Sequence, residues 1–223
     1  MKTGNAIKLF IFLVVLIILL IPFHSKLAMR NEAHAAKLKV LLVPREGGHY
    51  EDYVIIEEPV VMKAMLEQAG FKVIVATISG ANVEGQNYNL NTDKKLSDVN
   101  VKDYAGIIMA CMAVGQSEWH ARPDEISLVQ EAVAHDILIA AQQGSVIILA
   151  EAGVLAGKKY SYGEYGGMPY INKSFDDAIY SGTDVVQDGN IITSSYNPWF
   201  TKTKQLVHGT FDLTDRFIEA IKE

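Results

Sequence analysis

Cysteine occurs once in the 223 residues, as Cys111, which excludes an internal disulfide framework even if the chain enters an oxidising compartment. The fold must stand on its core. No basic cluster with interleaved aromatics occurs, and Lys and Arg number 20 against 26 Asp and Glu. Setting aside the first 35 residues takes the net charge to about −9, so nucleic acid is not expected as a partner. The sequence has no phosphate loop, dinucleotide fingerprint, Ser/His/Asp order or paired metal-ligand spacing, and no cofactor or metal is expected. Repeats, low-complexity tracts and internal linkers are lacking too. The expectation is a single domain over residues 36–223.

What is present begins with "LFIFLVVLIILLIPF" (Leu9 to Phe23), an uninterrupted apolar run after Lys2 and Lys8. It reads as an export signal. The run is shorter than the ~18 to 20 residues of a comfortable membrane span, and Ala33-His34-Ala35 gives a small-x-small cleavage pattern before Ala36. Residues 1–35 are therefore expected to be a signal peptide or, if uncleaved, a signal anchor attaching the protein to a membrane through residues 9–23. The protein is expected outside the cytoplasm.

The remainder alternates strand and helix patterns. "AKLKVLLVP" (Ala36 to Pro44) reads as a strand buried on both faces, followed by a helix over Pro59 to Ala69 with Gly70 past its end. "KVIVATIS" (Lys72 to Ser79), Ala105 to Ala113 and "ILIAA" (Ile137 to Ala141) are further buried strands, with "RPDEISLVQEAVAHD" a helix between the last two. Gly80 to Asp103 is expected to be a small hairpin or loop, and Val146 to Ala152 a helix. "KKYSY" and "DVVQDGNIITS" add strands, the latter with an Asp188-Gly189 hairpin signal, and Thr214 to Lys222 closes with a helix. This pattern predicts an α/β fold, an open and mostly parallel sheet with helices on both faces, whose ligand site lies at the carboxyl ends of the strands. The loops Arg45 to Ile56, Met112 to Trp119, Gln142 to Ser145 and Ser161 to Gly167 converge there.

"KVLLVP", "EEPVVMKAMLEQAGFKVIVATISG", "DYAGIIMACMAVG", "ILIAAQQGSVIILAEAGVLAGKKYS" and "VVQDGNIITS" resemble the ThiJ/PfpI superfamily in order and spacing. That superfamily includes the parkinsonism-associated protein and the so-called intracellular proteases. The resemblance covers nearly all of residues 37–223 and implies a class I glutamine amidotransferase-like, flavodoxin-like sandwich, a homo-oligomer and a role in stress response. The most specific piece, "LAEAGVLAGKKYS", resembles the helix after the family's nucleophile. Counting back from it, the family's Cys-His-Gly-Pro or Cys-Ala-Gly-Pro turn lands on Gln143, Gly144, Ser145 and Val146. Its Pro-Gly-Gly oxyanion lining lands on Ala110, Cys111 and Met112, its acidic residue on Glu58, and a downstream His of some members on Gly163.

Each position also has a reading of its own. An amide has no proton to lose near neutral pH, so Gln143 is no nucleophile, although it can hydrogen-bond a ligand or Glu58. A direct amide-to-carboxylate bond between Gln143 and Glu58 is expected. Ser145 has no His beside it in sequence and fits an N-cap. Cys111 reads as a small core hydrophobe or a reactive thiol. Glu58, before Pro59, is expected at a helix start, where it would either favour the helix dipole or face the pocket. His49, Glu51 and His120 read as surface loop residues. Tyr160, Tyr162, Tyr165 and Tyr170 suit either a binding rim or an edge strand.

Together these residues predict an exported, non-catalytic member of the family, a pseudoenzyme binding a small molecule or a partner protein through Glu58, Cys111, Met112, Gln142, Gln143 and Ser145. The alternative is a hydrolase or lyase for reactive carbonyl or amide substrates, such as a glyoxalase, deglycase or peptidase, working without the family cysteine.

Overall fold

The first described strand is β1 (Lys39–Val43), buried from Val40 to Val43, in a computed structural model that describes residues 39–46, 52–111, 120–165, 168–169 and 172–223. A helical stretch, α1, follows in three parts: α-helix at Asp52–Ile55, a π turn at Ile56–Val60 and α-helix again at Val61–Gln68. The helix thus starts seven residues before the expected Pro59, and Glu58 lies inside it. Proline cannot donate to residue i−4 and its ring crowds that carbonyl, but the wider i→i+5 turn accommodates Pro59 without ending the helix. Gly70, at φ 95°, closes the stretch as expected.

Next come β2 (Lys72–Thr77), a small hairpin of β3 (Val83–Glu84) and β4 (Asn89–Leu90), β5 (Lys94–Lys95) and β6 (Gly106–Met109). Helix α2 (Pro123–Ala134) leads to β7 (Leu138–Gln142), a 3₁₀ turn at Gln143–Ser145 and α3 (Val146–Glu151). Then follow β8 (Lys159–Tyr160), the pair β9 (Glu164–Tyr165) and β10 (Met168–Pro169), β11 (Ile179–Tyr180), β12 (Val186–Asp188) and β13 (Ile191–Ser194). Helices α4 (Pro198–Lys204) and α5 (Thr210–Lys222) complete the chain.

Seven strands form the main sheet in the order β12-β13-β7-β6-β1-β2-β5. Every pairing in it is parallel except the hairpin of β12 with β13. Strand alternation divides the core in two. Leu41, Val43, Ile107, Met109, Ile139 and Ala141 pack with Val129 and Ala132 of α2 and with α3. Val40, Leu42, Ile108 and Ala140 pack with Met62 and Leu66 of α1 and with Leu213 and Phe217 of α5. A Cβ at Gly106 would stand 2.6 Å from the Phe217 ring, so the absent side chain lets α5 settle onto β6. The expected open, mostly parallel α/β sheet with helices on both faces is the one found.

Three details differ from expectation. "KKYSY" supplies β8, which pairs with β11 in a separate two-stranded unit and stays out of the main sheet. The β12–β13 turn is Gly189-Asn190, one residue past the expected signal, with Gly189 at φ 61° supplying the left-handed geometry of a tight hairpin. Helix α4 had not been foreseen. Among the described residues no helix is long and apolar enough to cross a membrane, and the apolar run Leu9 to Phe23 lies outside them.

Candidate functional site

Between β1 and β2 the chain moves one way across the sheet, and it returns to place β6 on the other side of β1. Such a reversal leaves a crevice outside the carboxyl ends of the two diverging strands. Arg45 leaves β1 there, Cys111 leaves β6, and the π turn of α1 brings Glu58 alongside. Glu58 is 1% exposed, and its Oε1 accepts the Cys111 backbone N–H at 2.7 Å. Burial pushes the Glu58 carboxyl up to about 8, against the opposing pull of that N–H and of the Arg45 guanidinium. Glu58 is therefore mostly a neutral acid at pH 7.

The turn after β7 completes the group. Gln143 has φ 42°, a left-handed conformation that costs a side chain with a Cβ on the order of 1 kcal/mol and recurs at strand-to-helix elbows. Its Oε1 accepts a hydrogen bond from the Cys111 thiol at 3.2 Å. The Gly144 backbone N–H and the Asn197 side-chain amide both point hydrogen bonds at the same sulfur. Burial and the adjacent Glu58 outweigh them and raise the thiol above its ordinary range, so Cys111 stays a protonated donor.

The expected bond between Glu58 and Gln143 does not form. Cys111 stands between them and serves one partner with its main chain and the other with its sulfur. Ser145 is not a cap either. Its hydroxyl donates to the Ala110 carbonyl, tying the start of α3 to the end of β6 instead of to its own first turn. Gln142 is fully buried, with Nε2 donating to the Tyr196 carbonyl at 2.6 Å and to Thr210 Oγ1 at 3.2 Å. At Gly163 an added Cβ would lie 2.9 Å from the Ser195 carbonyl and 3.3 Å from Gln143 Nε2, so the position holds no side chain.

Other sequence candidates fall elsewhere. Tyr160 and Tyr162 are core residues, each 1% exposed, with their rings 5.1 and 5.7 Å from Phe175. They form no rim. His120 is exposed and pairs through Nδ1 with Glu151 Oε1 at 2.7 Å. Met112, His49 and Glu51 lie outside the described residues, as do Tyr170 and the side chain of Tyr165. Among the described residues no group of three His, Cys, Asp or Glu could hold a metal ion.

Residues 49–202 match the DJ-1/PfpI family. The chain belongs to that family. It is 30% identical, over 168 residues, to an uncharacterized protein of Methanocaldococcus jannaschii, spanning 74% of this chain and 77% of that one. Its fold is similar to that of a ThiJ/PfpI domain protein from Brachyspira murdochii, with a TM-score of 0.59, 17% identity and coverage of 82% of this chain and 96% of that one. Drosophila melanogaster DJ-1beta gives a TM-score of 0.56 at 20% identity, covering 82% of this chain and 90% of that one. Identities this low carry the architecture and leave the chemistry to the residues of this chain.

Sequence reasoning missed Asn197, and it placed Arg45 only at the start of a converging loop, with no role of its own. The loops expected to form the site follow β1, β6, β7 and β8, and the end of β13 is not among them, although β13 lies parallel beside β7 and ends at the same edge. Asn197-Pro198 directly after β13 was the available signal. An Asn before Pro favours an extended residue ahead of a helix, which is how Asn197 stands at the start of α4.

Proposed function

We propose that this protein binds a small molecule or a partner protein at the crevice beside Gln143 and does not carry out thiol chemistry at its elbow. In this reading Gln143 occupies the position of the family's nucleophilic cysteine. The observation that carries it is the bond from the Cys111 thiol to Gln143 Oε1: the elbow presents an amide, and the nearby thiol is spent as a neutral donor to it. A protonated thiol is a poor nucleophile, and Glu58, raised to about 8, stands mostly as a neutral acid at pH 7.

The competing reading, a hydrolase or lyase working through Glu58, draws on the same raised carboxyl, because shifted acids in clefts mark catalytic sites. Activity assays separate the two. The protein isolated from cells is expected to show only background glyoxalase, deglycase and peptidase rates. Turnover that survives Cys111→Ala and disappears in Glu58→Ala would establish the enzyme instead.

The apolar run and the cleavage pattern support export, either to a soluble form beginning at Ala36 or to a form anchored through residues 9–23. Intact-mass measurement on fractionated cells tests this. Full-length protein in the cytoplasmic fraction would contradict it, and full-length protein in membranes would select the anchor.

A further inference from the structure

The sequence holds a single Asn-x-Ser/Thr triplet with x other than proline, Asn172-Lys173-Ser174. In a chain that passes through an export pathway this is the acceptor pattern for N-linked glycosylation, and a glycan needs a surface loop to project from. The folded chain places the triplet in such a loop. Asn172 is an extended residue, at φ −101° and ψ −178°, ahead of a 3₁₀ turn over Lys173–Phe175. Its Oδ1 accepts the Ser174 backbone N–H at 2.9 Å and the Ser174 hydroxyl as well. Only oxygen can take these two donors, so Nδ2 is the atom turned away from the turn. Asn172 and Ser174 are half-buried, and Lys173, Asp176 and Asp177 are exposed. Phe175 goes under, where its ring meets Tyr160 and Tyr162.

Nδ2 carries two hydrogens. One is directed at Glu151 Oε1 at 3.3 Å, just beyond the usual range of about 2.7 to 3.2 Å, and among the described residues the other meets no acceptor. Glu151 does not depend on this bond, because its carboxylate also pairs with His120 Nδ1 and accepts the Ala121 N–H, each at 2.7 Å. A sugar on Nδ2 replaces one hydrogen and leaves the other for Glu151. From the triplet and this geometry we infer that Asn172 is the attachment site of an N-linked oligosaccharide, an inference that rests on the export reading above. The donor is an oligosaccharide held on a lipid phosphate or diphosphate at the exporting membrane. Asn172 Nδ2 forms a bond to the anomeric carbon, the bond from that carbon to the phosphate oxygen breaks, the lipid phosphate leaves with the electron pair, and Nδ2 loses a proton. Glu151 ends α3 and Gln143–Ser145 precedes its start, so about 9 Å of helix separates the carboxylate beside Asn172 from the elbow. The root of the glycan therefore lies outside the crevice.

Mass spectrometry on the protein isolated from its native cells tests this. The exported form is expected to exceed the polypeptide mass by one oligosaccharide, and the digest fragment containing Asn172 to carry all of the excess. That measurement needs no variant. Asn172→Gln and Ser174→Ala should each lose the excess, whereas Ser174→Thr, which keeps the hydroxyl, should retain it. A triplet with only a structural role would show no excess in any of these proteins. Bare polypeptide beginning at Ala36, or bare full-length protein in membranes, would overturn the glycan while leaving export in place. Bare full-length protein in the cytoplasmic fraction would overturn export and the glycan with it. An excess that persists in Asn172→Gln would place the modification elsewhere and overturn the assignment.

Discussion

Cys111 and Gln143 share a hydrogen bond of 3.2 Å from thiol to amide oxygen, across the ends of the adjacent strands β6 and β7. The bond ties the only thiol of the chain to the residue with the left-handed backbone at the elbow. The thiol gives its proton to the amide oxygen, and burial with the adjacent Glu58 raises its titration above the ordinary range.

Thiol labelling follows directly. Cys111 is 4% exposed and its titration is raised by burial and by Glu58. Alkylation by iodoacetamide at pH 8 should run about a hundredfold slower in the folded protein than in the denatured chain, since only an exposed thiolate reacts. Equal rates would show that the sulfur is open and ionised.

Glu58 makes stability depend on pH. The folded carboxyl titrates at about 8, well above the ordinary glutamate value of 4.5, so between these values the folded state binds more protons than the unfolded chain. Stability must then fall as pH rises through that window. Glu58→Gln keeps an oxygen to accept the Cys111 N–H and removes the titration. It should unfold in urea much as the parent does at pH 5 and be more stable at pH 9, by on the order of 3 kcal/mol. Parallel pH profiles for the two proteins would place the shift elsewhere.

Gln143 separates backbone strain from side-chain bonding. Gln143→Gly and Gln143→Ala both delete the amide, but only glycine enters φ 42° freely. The glycine variant should be the more stable by about 1 kcal/mol in denaturant titrations, despite glycine's larger entropy loss on folding. An alanine variant of equal or greater stability would mean that the elbow relaxes once the amide is gone.

Gly163→Ala would bring a methyl group within 2.9 Å of the Ser195 carbonyl and 3.3 Å of Gln143 Nε2. The expected cost is about 1 to 3 kcal/mol of stability, as for other overpacked positions, with a shift of the Gln143 side-chain amide resonances. A neutral substitution would show that the loop after β8 yields without disturbing the elbow.

The sequence by itself determined the order of buried strands and the sheet they form. Runs such as "KVLLV" and "GIIM" are apolar at every or nearly every position, which suits only strands covered on both faces. It also determined that the elbow is chemically an amide, because that depends only on which residue stands at position 143. Tertiary structure decided the partners. Pro59 looked like a helix start because local rules place proline in a first turn, yet a π turn carries the helix through it and buries Glu58. Local capping preference suggested a role for Ser145 that the Ala110 carbonyl of the neighbouring strand took instead. Cys111, 32 residues before Gln143 and 53 after Glu58, stands between them because parallel strands β6 and β7 end side by side while α1 packs over the same edge. Hydrogen bonds are short and directional, so they are settled by which strand ends lie next to each other, and sequence spacing does not carry that information.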